Sequence, residues 1–361
     1  MSRIPVAILG ATGSVGQRFV QLLADHPWFE VAELYASERN SGRSYAEAAR
    51  WVLDGDIPAD AARLRLKPLT EKPFSQLVFS ALPKEAAILW EADLAAAGHF
   101  VCSNASTHRM DDDVPLLLPL ANPDHLQLLE TQQRKRSWSG GIITNSNCTT
   151  TPVVMCLAPL LEMGIEQIHI VSAQAISGAG HPGVASLDIL DNIIPYIADE
   201  EEKLALEPLK MLGTRHGELI HPLAASVSAT CLRVPVLDGH LVNLAVKTRE
   251  PLALDEIITA WEDHSPSAEI CTLPSAPARA LQYFSAADRP QPRRDRNAGA
   301  GMTTSIGRLR TCPNYGFQFA ALSHNTILGA AGCSILNAEL LFTRGMLQSQ
   351  VSQAAEWVLP A

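Results

Sequence analysis

The sequence predicts an α/β protein built as an N-terminal Rossmann-like parallel sheet domain plus an α+β domain with a mixed or antiparallel sheet. Three observations carry this expectation. Short apolar runs alternate with helical patterns up to about residue 147, a glycine-rich loop joins the first run to the first helix, and longer alternating strand patterns follow residue 148. A length of 361 residues suits two domains and a sizeable core. Hydrophobic content of 47% with 18% charged residues excludes a disordered chain.

Run by run, residues 4–9 form a buried strand, and Gly10-Ala11-Thr12-Gly13-Ser14-Val15-Gly16 leads into a helical face at Phe19, Val20, Leu22 and Leu23. Glycines in that loop permit a tight turn and close backbone approach to a pyrophosphate at the helix N-terminus. The second strand, 31–36, ends in Ser37-Glu38-Arg39. Ser37 and Arg39 suit a 2′-phosphate and favour NADP, while Glu38 leaves an ordinary solvated loop open. Strands at 77–81 and 100–102 flank an alanine-rich helix over 84–98. Their C-terminal ends, including Ser80 and the run Ser103-Asn104-Ala105-Ser106, are where a nicotinamide or phosphate would lie, and Arg109 follows as a candidate anion ligand or a plain surface arginine.

Cys148 stands at the next junction. Ile142-Ile143 reads as a strand end, and residues 149–161 read as a helix opened by Thr149-Thr150-Thr151-Pro152. A thiol there faces unpaired N–H groups and the positive end of the helix dipole, so a lowered pKa and a nucleophilic role are expected; a small buried hydrophobe is the plain alternative. Strands follow at 165–171, 226–236, 241–247, 304–308 and 317–322, and an apolar helix over 325–341 returns to the first domain. Arg233 and His240 bracket Val234-Pro235-Val236-Leu237-Asp238-Gly239, with Asp238-Gly239 as a hairpin turn. His240 could serve Cys148 as a proton partner, but His181 and His324 compete and spacing does not choose among them.

The net charge of −10 excludes a general nucleic-acid binder, although local arginines still allow an anionic substrate. The seven cysteines show no CxxC pair and no zinc spacing, so no metal is expected; an odd count without a secretion signal fits a reducing cytoplasm. No apolar stretch reaches the roughly 18 residues of a membrane span. The arginine-rich loop over 288–301 reads as a solvated crossover or a subunit contact.

Together these residues resemble the aspartate-semialdehyde dehydrogenase family in its archaeal and fungal type, over nearly the whole chain. The resemblance rests on Gly-Ala-Thr-Gly-Ser-Val-Gly at 10–16, Ala-Ser-Glu-Arg at 36–39, Ser-Asn-Ala-Ser at 103–106 and Asn-Cys-Thr-Thr at 147–150. It continues through Ser-Gly-Ala-Gly-His-Pro-Gly at 177–183, Leu-Asp-Ile-Leu-Asp-Asn at 187–192 and Arg-Val-Pro-Val-Leu-Asp-Gly-His at 233–240. Asp-Arg-Pro-Gln-Pro-Arg at 288–293 and His-Asn-Thr-Ile-Leu-Gly-Ala-Ala-Gly at 324–332 complete it.

The resemblance implies NADPH-dependent reduction of L-aspartyl 4-phosphate to L-aspartate 4-semialdehyde, in a homodimer or homotetramer. It implies Cys148 as nucleophile, His240 as acid/base and Gln174 as an active-site glutamine. It further implies Arg233 on the substrate α-carboxylate, Glu207 on the α-ammonium, Lys210 with Arg109 at the phosphate, and Ser177, Gly178 and Asn325 on the nicotinamide side. The implied division is a cofactor domain of residues 1–147 plus 326–361 and a catalytic and oligomerisation domain of 148–325. Ser146 replaces a more usual proline, Leu120 falls in a run that is more often Glu-Val-Asn-like, and Leu328 replaces an arginine, so substrate and turnover stay open. N-acetyl-glutamyl-phosphate reductase, malonyl-CoA reductase and a non-catalytic nucleotide-binding paralogue are the alternatives; the carboxylate of Glu207 argues for a free amine.

Overall fold

Strands in the first half carry few polar residues because both faces of their sheet are covered, as a parallel sheet requires. The computed structural model describes residues 3–347. Strands β1 (Ile4–Leu9), β2 (Phe29–Ala36), β3 (Leu66–Pro68), β4 (Leu77–Ser80), β5 (Phe100–Ser103) and β6 (Gly141–Thr144) form one sheet in the order β3-β2-β1-β4-β5-β6. Every pairing is parallel. The order reverses at β1 and β4, the switch point at which open α/β sheets bind ligands. β3 escapes the sequence pattern because it is three residues long and contains Pro68, which only an edge tolerates.

The glycine loop lies at this switch point. Gly10 has φ +74°, and a Cβ there would fall 2.6 Å from the Ala81 carbonyl oxygen. A Cβ on Gly16 would fall 2.3 Å from the Gly10 oxygen, so the helix Ser14–Leu23 sits directly on its loop. Phe19, Val20 and Leu23 bury that helix against the sheet, as the periodicity requires.

The second sheet joins β7 (Ile165–Gln174), β10 (Ser226–Arg233), β11 (His240–Thr248), β12 (Leu281–Phe284), β13 (Thr304–Cys312) and β14 (Gly316–Ser323); β8 (Thr214–His216) and β9 (Leu219–His221) make a separate hairpin. Its order is β10-β7-β11-β14-β13-β12, with β10/β7 and β12/β13 parallel and the other pairs antiparallel. The sheet is therefore mixed. The expected hairpin at Asp238-Gly239 is corrected, because β7 lies between β10 and β11. Pro235 ends β10, and the chain then runs beside residues 174–177, with Ile176 and Ser177 N–H donating to the Val236 and Leu237 oxygens. The local turn signal was sound, but it carries no information about which strand lies next door.

Two helix boundaries also differ from expectation. The helix after Cys148 spans Thr150–Leu157 and tightens to a 3-10 turn over Ala158–Met163, because Pro159 has no N–H to continue the ladder. The returning helix opens with a π-turn, Ile327–Ala331, before the α-helix Gly332–Thr343. The π-turn lies against the helix Ser14–Leu23, and the α-helix lies against β5. Residues 348–361, also expected in this domain, lie outside the described residues.

Candidate active site

Cys148 follows β6 in a loop whose asparagine side chains are buried and paired, while the Thr149 hydroxyl is buried without a partner among the described residues. Asn147 Oδ1 accepts the Thr149 N–H (2.8 Å), and the Asn147 N–H donates to Glu207 Oε2 (2.6 Å). Asn145 Nδ2 donates to Ala330 O and Ser334 Oγ, both at 2.7 Å, and to Asn104 Oδ1 at 3.0 Å. A Cβ on Gly329 would fall 2.9 Å from Cys148 Cβ, so the π-turn presses on the nucleophile from behind. Turns of this kind recur at functional sites.

His240, the first residue of β11, is fully buried with Nε2 3.2 Å from Cys148 Sγ. Its Nδ1 accepts the Ala175 N–H at 3.0 Å, so the neutral ring carries its proton on Nε2, toward the sulfur. Of the three candidate histidines, His240 is the one within reach of the sulfur. His324 is buried with Nδ1 turned to its own Thr326, and His181 is exposed. Arg233 ends β10 in register with Gln174 and donates to Ala175 O at 2.7 Å. Gly178 is glycine because a Cβ there would lie 2.8 Å from Arg233 Nη1 and 2.9 Å from His240 Cε1. Gly178→Ala is expected to lower kcat/KM about 100-fold by displacing both side chains, with little change in thermal midpoint; steady-state kinetics beside a melting curve check this.

Arg109 is buried and donates to Glu207 Oε1 (2.9 Å) and Asn104 O (2.8 Å). Lys210 differs from expectation. Its ammonium donates to the carbonyls of Arg109 (2.7 Å), Asp111 (2.7 Å) and Val114 (2.9 Å), which consumes its three protons. It therefore holds the loop that carries Arg109 and does not present a free charge to phosphate. Ser80 is a second correction: strand alternation turns its hydroxyl inward to Glu91 Oε1 (2.6 Å), where it is fully buried. Asn325 spans the cleft, donating to Ser177 Oγ and accepting the Gly239 N–H, both at 2.8 Å. The 288–301 loop supports the same turn, since Arg296 donates to Asp238 O (3.3 Å) and Arg289 pairs with Asp295.

A cavity of about 170 Å³ is lined by residues that include Ser14, Val15, Arg109, Cys148, Gly178 and Asn325. A neighbouring cavity of about 310 Å³ shares Ser14, Ser177 and Thr326 with it. Sulfur and glycine loop thus share one cleft, and the buried imidazole reaches the sulfur from outside its lining. Thr12 lies in that loop, Gly13 is exposed, and a Cβ on Gly13 would meet only the Gly10 oxygen, at 3.4 Å. Space for a phosphate therefore remains at the N-terminus of the helix Ser14–Leu23. Ser37 and Arg39 are exposed just beyond β2. Among the described residues no His/Cys/Asp/Glu group could hold a metal ion, and no helix is long and apolar enough to cross a membrane.

The electrostatics correct one expectation. Burial pushes the Cys148 thiol up to about 12, Glu200 adds to this, and Arg109 and Arg233 oppose it. The helix terminus does not outweigh desolvation, because the first helical residue is Thr150 and not the cysteine. Burial holds His240 down at about 3, aided by Arg233 and His324. Burial also lowers Lys210 to about 8 against the nearby carboxylates. Sequence reasoning missed Glu200, whose oxygens accept Asn147 Nδ2 (2.8 and 2.9 Å) and Gln174 Nε2 (3.2 Å). The asparagine just before Cys148, Asn147, was the available signal.

A family model described as the semialdehyde dehydrogenase NAD binding domain matches residues 5–129, and one described as the dimerisation domain matches 157–328. The aspartate-semialdehyde dehydrogenase of Archaeoglobus fulgidus is 46% identical over 340 residues, covering 94% of this chain and 98% of that protein. The chain belongs to the aspartate-semialdehyde dehydrogenase family. The family member of Schizosaccharomyces pombe is 43% identical over 352 residues, covering 95% and 99%. A crystal structure of the Candida albicans family member with NADP superposes with a TM-score of 0.87 at 38% identity, covering 96% of this chain and 100% of that one. These relatives carry the name of this oxidoreductase family and not that of the acetylated or CoA-linked acyl reductases.

Proposed function

We propose that the protein interconverts L-aspartyl 4-phosphate and L-aspartate 4-semialdehyde with NADP(H), through a thioester on Cys148. The observation that carries this is the sulfur 3.2 Å from His240 Nε2, inside the cavity bounded by Ser14 and Val15 of the glycine loop. The Candida albicans relative was solved with NADP, and a Vibrio cholerae relative, 26% identical with a TM-score of 0.75, with ASA. Residues 10–16 would hold the pyrophosphate, Ser37 and Arg39 a 2′-phosphate, and Ser177, Gly178 and Asn325 the nicotinamide side. When bound, this cofactor supplies or accepts the hydride.

The protein's own groups then have defined work. The Cys148 thiolate adds to the acyl carbonyl, the C–O bond to phosphate breaks, and the acyl group remains on sulfur. Arg109 meets the departing phosphate charge, with Lys210 fixing its loop from behind. His240 presents Nε2–H to the thiolate and to the oxygen of the tetrahedral adduct. To take up a second proton it must release Ala175, whose N–H occupies Nδ1. Arg233 is suited to the α-carboxylate, and Glu207 to the α-ammonium with the lone pairs left beside Arg109 and Asn147. Residues 1–147 with 326–361 are assigned to cofactor binding, and 148–325 to catalysis and assembly.

The proposal includes a homodimer in the cytoplasm. Leu187, Leu190, Ile193 and Tyr196 are 92, 63, 55 and 66% exposed along one surface segment of the second domain. The seven cysteines are unpaired, in keeping with a reducing compartment. Leu190→Asp is expected to give a monomer in sedimentation velocity where the unaltered chain is a dimer. The activity is tested by supplying aspartate semialdehyde, phosphate and NADP and following absorbance of the reduced nicotinamide. Phosphate-dependent signal supports the assignment; signal that instead requires coenzyme A overturns it.

A further inference from the structure

We propose that Glu91 is a positioning residue for the phosphate half of the reaction: its buried carboxyl joins the ends of β4 and β5 and so sets the turn that carries Asn104 and Arg109. This rests on the activity proposed above, in which Arg109 meets the phosphate. Glu91 lies on the crossover helix Lys84–Ala96 and is fully buried. Ser80 and Ser103, the last residues of β4 and β5, pair in register, so their side chains leave the sheet on one face. Both hydroxyls donate to Glu91 Oε1, at 2.6 and 2.7 Å.

From these two serines the hydrogen bonds run on to the cleft. Ser103 Oγ accepts the Ala105 N–H at 3.1 Å, and Ser80 O accepts both the backbone N–H (3.0 Å) and Nδ2 (3.1 Å) of Asn104. Asn104 O in turn accepts Arg109 Nη2 at 2.8 Å. Asn104 and Arg109 both line the cavity that contains Cys148. Lys210 grips the same loop farther along, through the carbonyls of Arg109, Asp111 and Val114. Glu91 holds its root. The guanidinium is thus aimed from two sides, by groups that never touch the substrate.

The carboxyl works here as a neutral acceptor. Burial raises its pKa, against the two serine hydroxyls and the charges of His108 and Arg109, and so favours the protonated acid. An oxygen that accepts two O–H groups is the carbonyl oxygen of that acid, which leaves the proton to Oε2. Oε2 is buried and has no hydrogen-bond partner among the described residues. An unpartnered acid hydroxyl is a burden that an apolar side chain of similar size would not carry, so packing alone does not account for a glutamate. The acceptor at Oε1 does, because without it two buried strand-end hydroxyls lose their partner.

The test is steady-state kinetics in the direction that consumes phosphate, beside protection of Cys148 from iodoacetamide by inorganic phosphate, read by peptide mass. Glu91→Leu, which removes the acceptor, is expected to raise the phosphate KM about tenfold, with KM for aspartate semialdehyde and for NADP within about twofold. The phosphate concentration that half-protects Cys148 should rise by the same factor. Glu91→Gln should hold both values within about twofold of wild type, because a carboxamide reproduces the oxygen acceptor without a charge. Ser103→Ala removes one of the two links and should raise the phosphate KM about threefold, which decides the matter if Glu91→Leu does not fold. Phosphate values unmoved in the folded variants, or moved no more than those of the other two substrates, overturn the inference. So does a glutamine variant as impaired as the leucine one. Absence of phosphate-dependent NADP reduction in the wild type overturns the activity proposal instead, while half-protection by phosphate still decides the role of Glu91.

Discussion

Cys148→Ala is expected to abolish phosphate-dependent reduction of NADP, lowering kcat by about 10⁴-fold or more. The loss belongs to turnover and not to binding, because no other group can form the acyl bond at that point. The remaining six cysteines offer no substitute: Cys102, Cys156, Cys231 and Cys333 are buried, and none of the six lines the cavity. Cys148→Ser should be nearly as inactive, since a hydroxyl ionises far less readily than a thiol. Mass spectrometry of the intact chain after mixing with substrate is the direct check. An acyl adduct should appear on the wild type and on neither variant. Activity persisting in the alanine variant would remove the thioester.

His240→Ala is expected to lower kcat by about 10²- to 10⁴-fold, the range for loss of a positioned proton-transfer group. Glutamine at this position restores an N–H but no titratable nitrogen, so it should recover little. The pH profile adds a second check. With His240 held down at about 3, the free enzyme should show no inflection from this residue near pH 6.5, and kcat/KM should rise with pH as the raised thiol ionises. The same depression has a sign for stability. An unfolded histidine protonates below about pH 6.5 while buried His240 does not, so its contribution is present above that pH and fades as pH falls toward about 3. A bell centred on pH 6.5 in kcat/KM would show that the imidazole ionises freely.

Local signals in the sequence revealed much of this architecture. The strand of Ile4–Leu9, the glycine loop and the helix after it follow from residue type and spacing, and so does Cys148 at its junction, whereas Arg233 and His240 were singled out by the family resemblance. Long-range relations were hidden. That β7 inserts between β10 and β11 depends on sheet order, which a turn signal cannot encode. The resemblance implied Lys210 as a phosphate ligand, and an ammonium in sequence carries no sign of the three carbonyls awaiting it. The helix-dipole argument for Cys148 left out desolvation, which acts in the opposite direction and pushes the thiol up. Glu200 was invisible for a simpler reason: it sits in the run Glu200-Glu201-Glu202, which resembles any solvated helix start.

The hydrogen bonds of Asn145 reach Asn104, Ala330 and Ser334, and Asn337 Nδ2 returns to Asn145 Oδ1 at 2.8 Å. Roughly 190 residues of chain therefore separate the nucleophile loop from the segment that completes its frame, a loop closure with a slow, non-local character. During synthesis the ribosome releases the cysteine long before its scaffold exists. A nascent chain stopped short of residue 330 carries Cys148 but not the frame around it, which is complete only when the helix Gly332–Thr343 docks.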